Sequence, residues 1–496
     1  MEKKKILKII RIVLLAVQAL LQVAAAVAVM KLNMLPNNYA VVFILAMVLL
    51  LEATLLFMFL PVKRQVRQWR QITACVMSVV IIAGCVVVSK IAYDTHKLLD
   101  NLTGSASNVR NSYVLVLNDN PAKSLNETKT FRYGAVSGYD EENTQQLLLA
   151  VEQEIGAAVN LTYYEQTSAM VDALYNKEAD AIIMDGASIS LLTEQSGYEN
   201  FLTRVRVIYT MSFEADDLDK DNNSTEITRE PFVMYISGSD TRKEVLTVGR
   251  SDVNILAVVN PVSKQVLLIS TPRDYYIPNP AGKGALDKLT HCGNSGIDVS
   301  MEALGNLYDV DVEYYSQINF VGFEKMIDAI GGISVYSDQT YTAISGVHFE
   351  KGWNELNGNE AMWYVRERFN VSGGDHTRGK HQMQVIQAVF EKMCSSKTLI
   401  SNYTDIMKSM EGMFVTNLSA EQISSFVKMQ LDDMASWNLR SYSAVGKSDY
   451  QETYSAPGLS LYVIWPGEDS VNHAQSLIKK VINGDVLTDE DMELAE

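Results

Sequence analysis

The sequence S-G-S-D-T-R-K-E-V-L-T-V-G-R-S-D-V-N-I-L-A-V-V-N-P-V-S-K-Q-V-L-L-I-S-T-P-R-D runs from Ser237 to Asp274. It holds two apolar runs, Ile255 to Val259 and Val266 to Ser270, joined at Asn260-Pro261. That pattern reads as strand, turn, strand. Around this hairpin stand two carboxylates, Asp240 and Asp252, and two guanidiniums, Arg250 and Arg273. A mixture of that kind suits anions together with a metal ion.

Strand-like and helix-like segments alternate outward from the hairpin. Phe232 to Ile236 precedes it as a strand; Met301 to Leu307 and Phe323 to Ile330 read as helices. Gly331-Gly332 stops the second helix before a strand from Ile333 to Tyr336. Further helices are expected over Glu360 to Phe369, Arg378 to Cys394 and Asn472 to Ile482. Apolar strands without alternation point to a sheet covered by helices on both faces, so the fold class is α/β.

A second, smaller alternation precedes this unit. Tyr113 to Leu117, Tyr133 to Val136, Leu161 to Tyr164, Ala181 to Met184 and Val205 to Tyr209 read as strands, with helices over Glu141 to Ala158 and Ser168 to Tyr175. A small α/β accessory domain follows. The run Asp216 to Asn223 lacks the glycine and terminal glutamate of a calcium loop and reads as a solvated linker.

The first hundred residues differ in kind. Ile6 to Met30, Ala40 to Leu60 and Ile72 to Ser89 are apolar runs near the length a helix needs to cross hydrocarbon. No cleavage signal follows the first, so all three read as retained spans. Basic residues crowd the N-terminus and the second loop (Lys63, Arg64, Arg67, Arg70), which places everything after the third span outside the cell. Glu52, inside the second span, is expected to hydrogen-bond a neighbouring helix through Gln18 or Gln22. The expected organisation is then an anchor over 1–94, a polar connector over 95–111, the accessory domain over 112–214, a linker over 215–230, the main domain over 231–485 and an acidic tail over 486–496.

Residues 101–496 carry 30 basic and 55 acidic side chains, a net charge of −25. Such a surface repels nucleic acid and excludes a direct DNA-binding role. Cys292 and Cys394 are the two cysteines beyond the spans, too few for a disulfide framework. Arginines within an acidic body call for their own explanation: Arg250, Arg273, Arg366-Glu367-Arg368, and Arg378 near Asp375 and Gln382. Converging guanidinium forks grip phosphate oxygens in pairs, as a pyrophosphate requires; the plainer alternative is a set of surface salt bridges. Asp240 and Asp252 flank strands at one sheet end and suit Mg2+; as isolated turn aspartates they would only cap backbone amides.

The motifs G-S-D-T-R, G-R-S-D, I-S-T-P-R-D, D-K-L-T-H-C-G, I-N-F-V-G-F, I-D-A-I-G-G-I, N-G-N-E-A-M-W-Y-V-R-E-R and G-D-H-T-R-G-K-H-Q resemble the LytR-CpsA-Psr family in order and spacing across roughly residues 232 to 400. Three spans and an inserted accessory domain are similar to its capsular CpsA branch. The resemblance implies a central mixed sheet flanked by helices and a cell-wall ligase. Such an enzyme moves a glycopolymer from polyprenyl pyrophosphate to the C6 hydroxyl of N-acetylmuramic acid in peptidoglycan, with Mg2+ as cofactor. Carried onto this chain, it implies metal ligation by Asp240 and Asp252, and pyrophosphate binding by Arg250, Arg273, Lys288, Arg366, Arg368, Arg378 and Gln382. Asp375 is the first choice for a general base and His381 the second. Phe320, Phe323, Met326, Ile330 and Val389 are expected to line a tunnel for the lipid tail, unless they are plain core. Lys380 and His381 stand where other members commonly carry Arg and Asn or Arg. Proteins of capsule synthesis are a candidate partner class. The competing readings are a polyprenyl-pyrophosphate hydrolase and a non-catalytic regulator of capsule synthesis.

Overall fold

The structure, a computed structural model, describes residues 2–60, 64–102, 109–138, 141–193, 195, 197–214, 226–239, 249–393 and 413–493. Three long helices come first: α1 (Glu2–Leu32), α2 (Asn37–Phe59) and α3 (Arg64–Leu102). Their apolar stretches of 27, 23 and 33 residues are long enough to cross a membrane.

A polar seam ties the three together. Ser78 Oγ donates to Gln18 Oε1 at 2.5 Å, Gln18 Nε2 donates to Thr54 Oγ1 at 3.3 Å, and Gln22 Nε2 donates to the Met47 carbonyl at 3.0 Å. This corrects the expectation for Glu52. Gln18 and Gln22 find partners elsewhere, and Glu52 is exposed on the outer side of α2. α3 continues to Leu102, through the first part of the expected connector, of which residues 103–108 lie outside the described residues. Ala92, Thr95, Leu98 and Leu99 recur at helical spacing and are buried, with Leu98 and Leu99 packed near Met34, Phe414 and Ile423.

The accessory unit contains β1 (Val109–Leu117), β2 (Arg132–Val136), α4 (Glu141–Ile155), β3 (Asn160–Tyr164), α5 (Thr167–Tyr175), β4 (Ala181–Asp185), α6 (Gly186–Thr193), the single turn α7 (Phe201–Arg204) and β5 (Val205–Glu214). Its sheet has the order β3-β2-β4-β1-β5. Leu147, Val151 and Ile155 of α4 fill one face, and Met170, Leu174 and Leu192 of α5 and α6 fill the other. The predicted linker falls largely outside the described residues.

The main unit opens with β6 (Phe232–Ser239), β7 (Ser251–Asn260), β8 (Gln265–Ser270), β9 (Tyr276–Asn279), β10 (Ala285–Lys288), α8 (Leu289–Cys292), α9 (Ile297–Tyr308) and β11 (Tyr314–Asn319). It continues with α10 (Phe320–Ala329), β12 (Ile333–Ser337), β13 (Tyr341–Thr342), β14 (His348–Phe349), β15 (Gly352–Leu356), α11 (Gly358–Arg366) and α12 (Gly374–Met393). It closes with β16 (Phe414–Thr416), α13 (Ala420–Asp433), β17 (Asn438–Ser443), β18 (Gly446–Thr453), β19 (Ala456–Pro466) and α14 (Glu468–Asn483).

The central sheet has the order β16-β11-β6-β7-β8-β17 and is mixed. β11 runs parallel to β6 and β17 parallel to β8, while β7 is antiparallel to both of its neighbours. The carboxyl ends of β6, β8, β11 and β17 therefore share one edge with the start of β7. Along β7, Leu256 and Val258 face the core formed with α9 and α14, whereas Ile255, Ala257 and Val259 face α12 and α13. Strict alternation between two apolar faces explains the unbroken apolar run.

Candidate functional site

A cavity of about 400 Å3 opens at that shared edge. Asp252 comes from the start of β7, Ser270 to Arg273 from the end of β8, Ser443 to Gly446 from the end of β17, and Tyr462 and Ile464 from β19. α12 closes it with His376, Arg378, Gly379 and Gln382. Carboxyl ends of parallel strands are where α/β folds place ligands.

Arg273 is held in place by charge. Its Nη1 donates to Asp252 Oδ1 at 2.8 Å, and Asp274 lies 3.6 Å from its Nε. Asp274 in turn accepts from Lys288 Nζ at 3.0 Å. Neither Lys288 nor the half-buried Arg250, two residues before Asp252 in the chain, lines the cavity. Beneath Asp252 lies a buried polar network that the sequence reading passed over. Tyr235 Oη is 2.6 Å from Asn254 Oδ1 and 2.8 Å from Ser251 Oγ, which is also 2.8 Å from Ser237 Oγ. Burial pushes the Tyr235 phenol up from its ordinary range. The network locks the strand on either side of Asp252. Ser237, Ser251 and Asn254 interrupt otherwise apolar strands, and that interruption was the available signal.

The R-E-R segment divides its labour. Helix α11 begins at a capping box between Asn357 and Glu360 and stops at Arg366, short of the predicted Phe369. The cause is Glu367, which is buried. Its Oε1 accepts from the backbone NH groups of Arg368, Phe369 and Asn370 at 2.9, 2.8 and 3.0 Å, and its Oε2 accepts from Ile344 NH at 2.7 Å. Burial alone would raise this carboxyl; the four backbone donors outweigh it and hold the group below the usual range. The turn so fixed presents both arginines. Arg366 lies over the rings of Phe320 at 4.8 Å and Trp363 at 5.4 Å, and Arg368 lies over Phe369 at 4.6 Å. Gly373 and Gly374 then turn the chain into α12 with φ of 87° and 54°, values that suit glycine.

A second cavity, about 260 Å3 and almost wholly apolar, lies between the sheet and helices α10, α11 and α12. Phe320, Phe323, Met326 and Val389 line it, together with Met234, Ile236, Met362 and Val385. Ile330 does not; it is buried in the adjacent core with Ile327 and Ile333, because it falls at the end of α10 where the chain turns inward. Gln382 lines both cavities, so the polar and apolar compartments meet at its side chain. Phe320, a wall of the apolar cavity, is also the ring beneath Arg366.

His381 takes no part in either lining. Its ring stacks on Tyr364 with centroids 4.1 Å apart and lies 5.7 Å from that of Tyr341, and its Nδ1 sits 3.1 Å from the Tyr364 carbonyl. Burial pulls its pKa down to about 4. This corrects its candidacy as a base, since the ring is a core group held away from the cavity. Asp240 lies outside the described residues, directly after β6, as does Cys394; Asp375 falls on α12, but its side chain is likewise outside the description. Cys292 is a buried free thiol, pushed up by burial.

Among the described residues the site is a charged chamber at the sheet edge with a hydrocarbon-lined one on the other side of Gln382, in a chain with three apolar N-terminal helices. The chain belongs to the LytR_cpsA_psr family, whose model matches residues 202–461. It is similar to the protein named polyisoprenyl-teichoic acid–peptidoglycan teichoic acid transferase TagU of Bacillus mycoides (strain KBAB4), with 35% identity over 215 residues covering 42% of this chain and 69% of that one. The protein of the same name from Enterococcus faecalis (strain ATCC 700802 / V583) is 32% identical over 238 residues, covering 48% and 74%. Among solved structures, the crystal structure of B. subtilis TagV matches at 23% identity with a TM-score of 0.43, over 51% of this chain and 98% of that chain.

Proposed function

We propose that the chain transfers a glycopolymer, capsular or teichoic-acid-like, from a polyprenyl-pyrophosphate carrier to peptidoglycan, on the outer face of the membrane. The observation that carries the reading is the meeting of the two cavities at Gln382. Their ligand must be charged at one end and hydrocarbon at the other, as a polyprenyl pyrophosphate is. The names of the TagU relatives point to the same substrate class. The outer-face assignment rests on the excess of Lys and Arg before the first span and between the second and third.

In this reading the isoprenoid tail occupies the apolar cavity, and the pyrophosphate lies among Arg273, Arg378 and Gln382, with Arg366 and Arg368 presented by the Glu367 turn. Arg250 and Lys288 add positive potential from the flank. The C6 hydroxyl of N-acetylmuramic acid attacks the phosphorus that bears the glycopolymer; the new O–P bond forms as the bridging P–O bond breaks, and polyprenyl phosphate leaves with that oxygen. Guanidinium donors aimed at the phosphoryl oxygens stabilise the charge that develops. Asp375 is proposed to take the hydroxyl proton. The donor chemistry suits magnesium, since Asp252 brings a hard carboxylate oxygen to the polar cavity. Asp240 and Asp252 would hold Mg2+, which when bound would neutralise pyrophosphate charge.

The test is to incubate the purified full chain with lipid-linked glycan, peptidoglycan and Mg2+, and to analyse muramidase-released fragments by mass spectrometry. A phosphodiester-linked polymer on muramic acid is expected. No transfer would overturn the assignment, and phosphate release without acceptor would replace it with hydrolysis.

A further inference from the structure

The hairpin of β18 and β19 carries aromatic rings where solvent meets the polar cavity. Its register sets Ser448 opposite Ile464 and Tyr450 opposite Tyr462, so these four side chains share one face. The other face turns to the body: Val463 is buried there, and Trp465 meets Tyr276 edge-on at 4.8 Å and donates to Asp449 Oδ2 at 3.0 Å. On the open face Tyr462 and Ile464 line the cavity, while Tyr450 lies beyond its lining and is 66% exposed. The rings of Tyr450 and Tyr462 stand 5.8 Å apart at 75°, and Tyr462 Oη is 2.8 Å from Ser448 Oγ. The hairpin is tied to the cavity wall, since Ile464 NH donates to the Asp274 carbonyl at 2.8 Å.

A cross-strand aromatic pair steadies a hairpin wherever it falls. This pair falls on the face that continues the wall of a charged chamber outward. Two rings set nearly edge to face, with hydroxyl groups at their rims, offer apolar surface beside hydrogen-bonding groups. A pyranose ring has the complementary make-up, with C–H bonds on its face and hydroxyls around its edge.

The direction of the bound ligand selects which sugars reach the hairpin. α12 and the apolar cavity lie on one side of the central sheet, with Ile255 and Ala257, whereas Ile464 joins the core on the other side, with Leu256 and Val258. With the lipid pyrophosphate placed as proposed above, the tail lies on the α12 side, and the group on the far phosphate leaves past β19. We propose that Tyr450 and Tyr462 form a stacking platform for the first hexopyranose residues of the donor glycopolymer, Tyr462 at the pyrophosphate end and Tyr450 farther out. Contacts to ring faces hold the transferred chain in line with the cavity while tolerating differences among its hydroxyl groups.

The experiment is calorimetry on the purified full chain in detergent with Mg2+, using farnesyl pyrophosphate and farnesyl pyrophosphate that carries cellotetraose. The native chain should bind the sugar-bearing ligand about tenfold more tightly than the bare one. Tyr450→Ala, at an exposed position, should cut that gain about fivefold or more, and Tyr450→Phe should keep it within about twofold. A native chain that shows no gain, or a gain that Tyr450→Ala leaves intact, overturns the proposal. So does a Tyr450→Ala loss that falls instead on a peptidoglycan tetrasaccharide, which would give the platform to the acceptor. Failure of bare farnesyl pyrophosphate to bind the native chain would strike the lipid-pyrophosphate reading itself, and with it the occupant of the platform.

Discussion

Replacing Glu367 by Gln tests whether the middle of the R-E-R motif is a scaffold. The carboxylate accepts four backbone NH groups, three on Oε1 and one on Oε2. A glutamine keeps one carbonyl oxygen. If that oxygen stays with Arg368, Phe369 and Asn370, the new NH2 group faces the Ile344 NH, donor against donor. One charge-assisted bond is lost, worth about 1.5–3 kcal/mol, and the other three weaken as the charge disappears. Amide exchange should accelerate roughly ten- to 150-fold in the segments holding Ile344 and Arg368 to Asn370, read by hydrogen-exchange mass spectrometry, with the accessory domain unchanged. The native contribution also has a pH signature. The folded pKa lies below the ordinary 4.5, so the stabilisation is fully present above 4.5 and is lost as pH falls through the lower folded value. Exchange in those segments within twofold of native would refute the scaffold account, and with it the explanation of why α11 stops at Arg366.

Four further outcomes are expected. Arg366→Ala should lower the transfer rate about a hundredfold, and Arg366→Lys should recover only part, because an ammonium cannot fork two phosphate oxygens or stack on Phe320 and Trp363 as a guanidinium does; single-turnover transfer assays check both. Met326→Trp should fill the apolar cavity and weaken binding of long-chain polyprenyl phosphate about tenfold or more while sparing a short-chain analogue, read by calorimetry. His381 has a folded pKa of about 4 against 6.5, so its part in stability is fully present above pH 6.5 and declines as pH falls toward 4; His381→Phe should flatten that slope in denaturation profiles. Chelation should abolish transfer and added Mg2+ should restore it, measured as product formation.

The legible parts of the fold were those with a strong period. β7 and β8 were visible as unbroken apolar runs, and α10 was visible because Gly331-Gly332 punctuates its end. β11 was not, although it lies beside β6 within the sheet. Its sequence Y-Y-S-Q-I-N has neither a run nor clean alternation, since Tyr314 and Tyr315 are buried in different cores and Asn319 caps the next helix. Propensity gives no warning of a strand specified by tertiary partners. The end of α11 was misplaced for a related reason. A glutamate between two arginines looks like a solvated helix face, and only the fold shows its carboxylate turned inward onto four amides.

The candidate site divides along the same line. Charged residues in short motifs announced themselves, and Arg273, Arg378 and Asp252 do share one chamber. Sequence could not separate residues that line a space from residues that fill one. Phe323 and Ile330 stand seven positions apart on one apolar stripe, yet the first borders the cavity and the second closes the core behind it. His381 shows the same limit in a titratable group. Placed between Lys380 and Gln382 it suggests proton transfer, but α12 directs Gln382 to the junction of the two cavities and His381 to the tyrosine stack. On one helical turn, a rotation of about 100° per residue separates a group that meets the ligand from one that steadies the wall behind it. The same angular reasoning sets Glu52 apart from Thr54 two positions later. In both helices the chemistry of the residue raised the question, and the face on which it falls answered it.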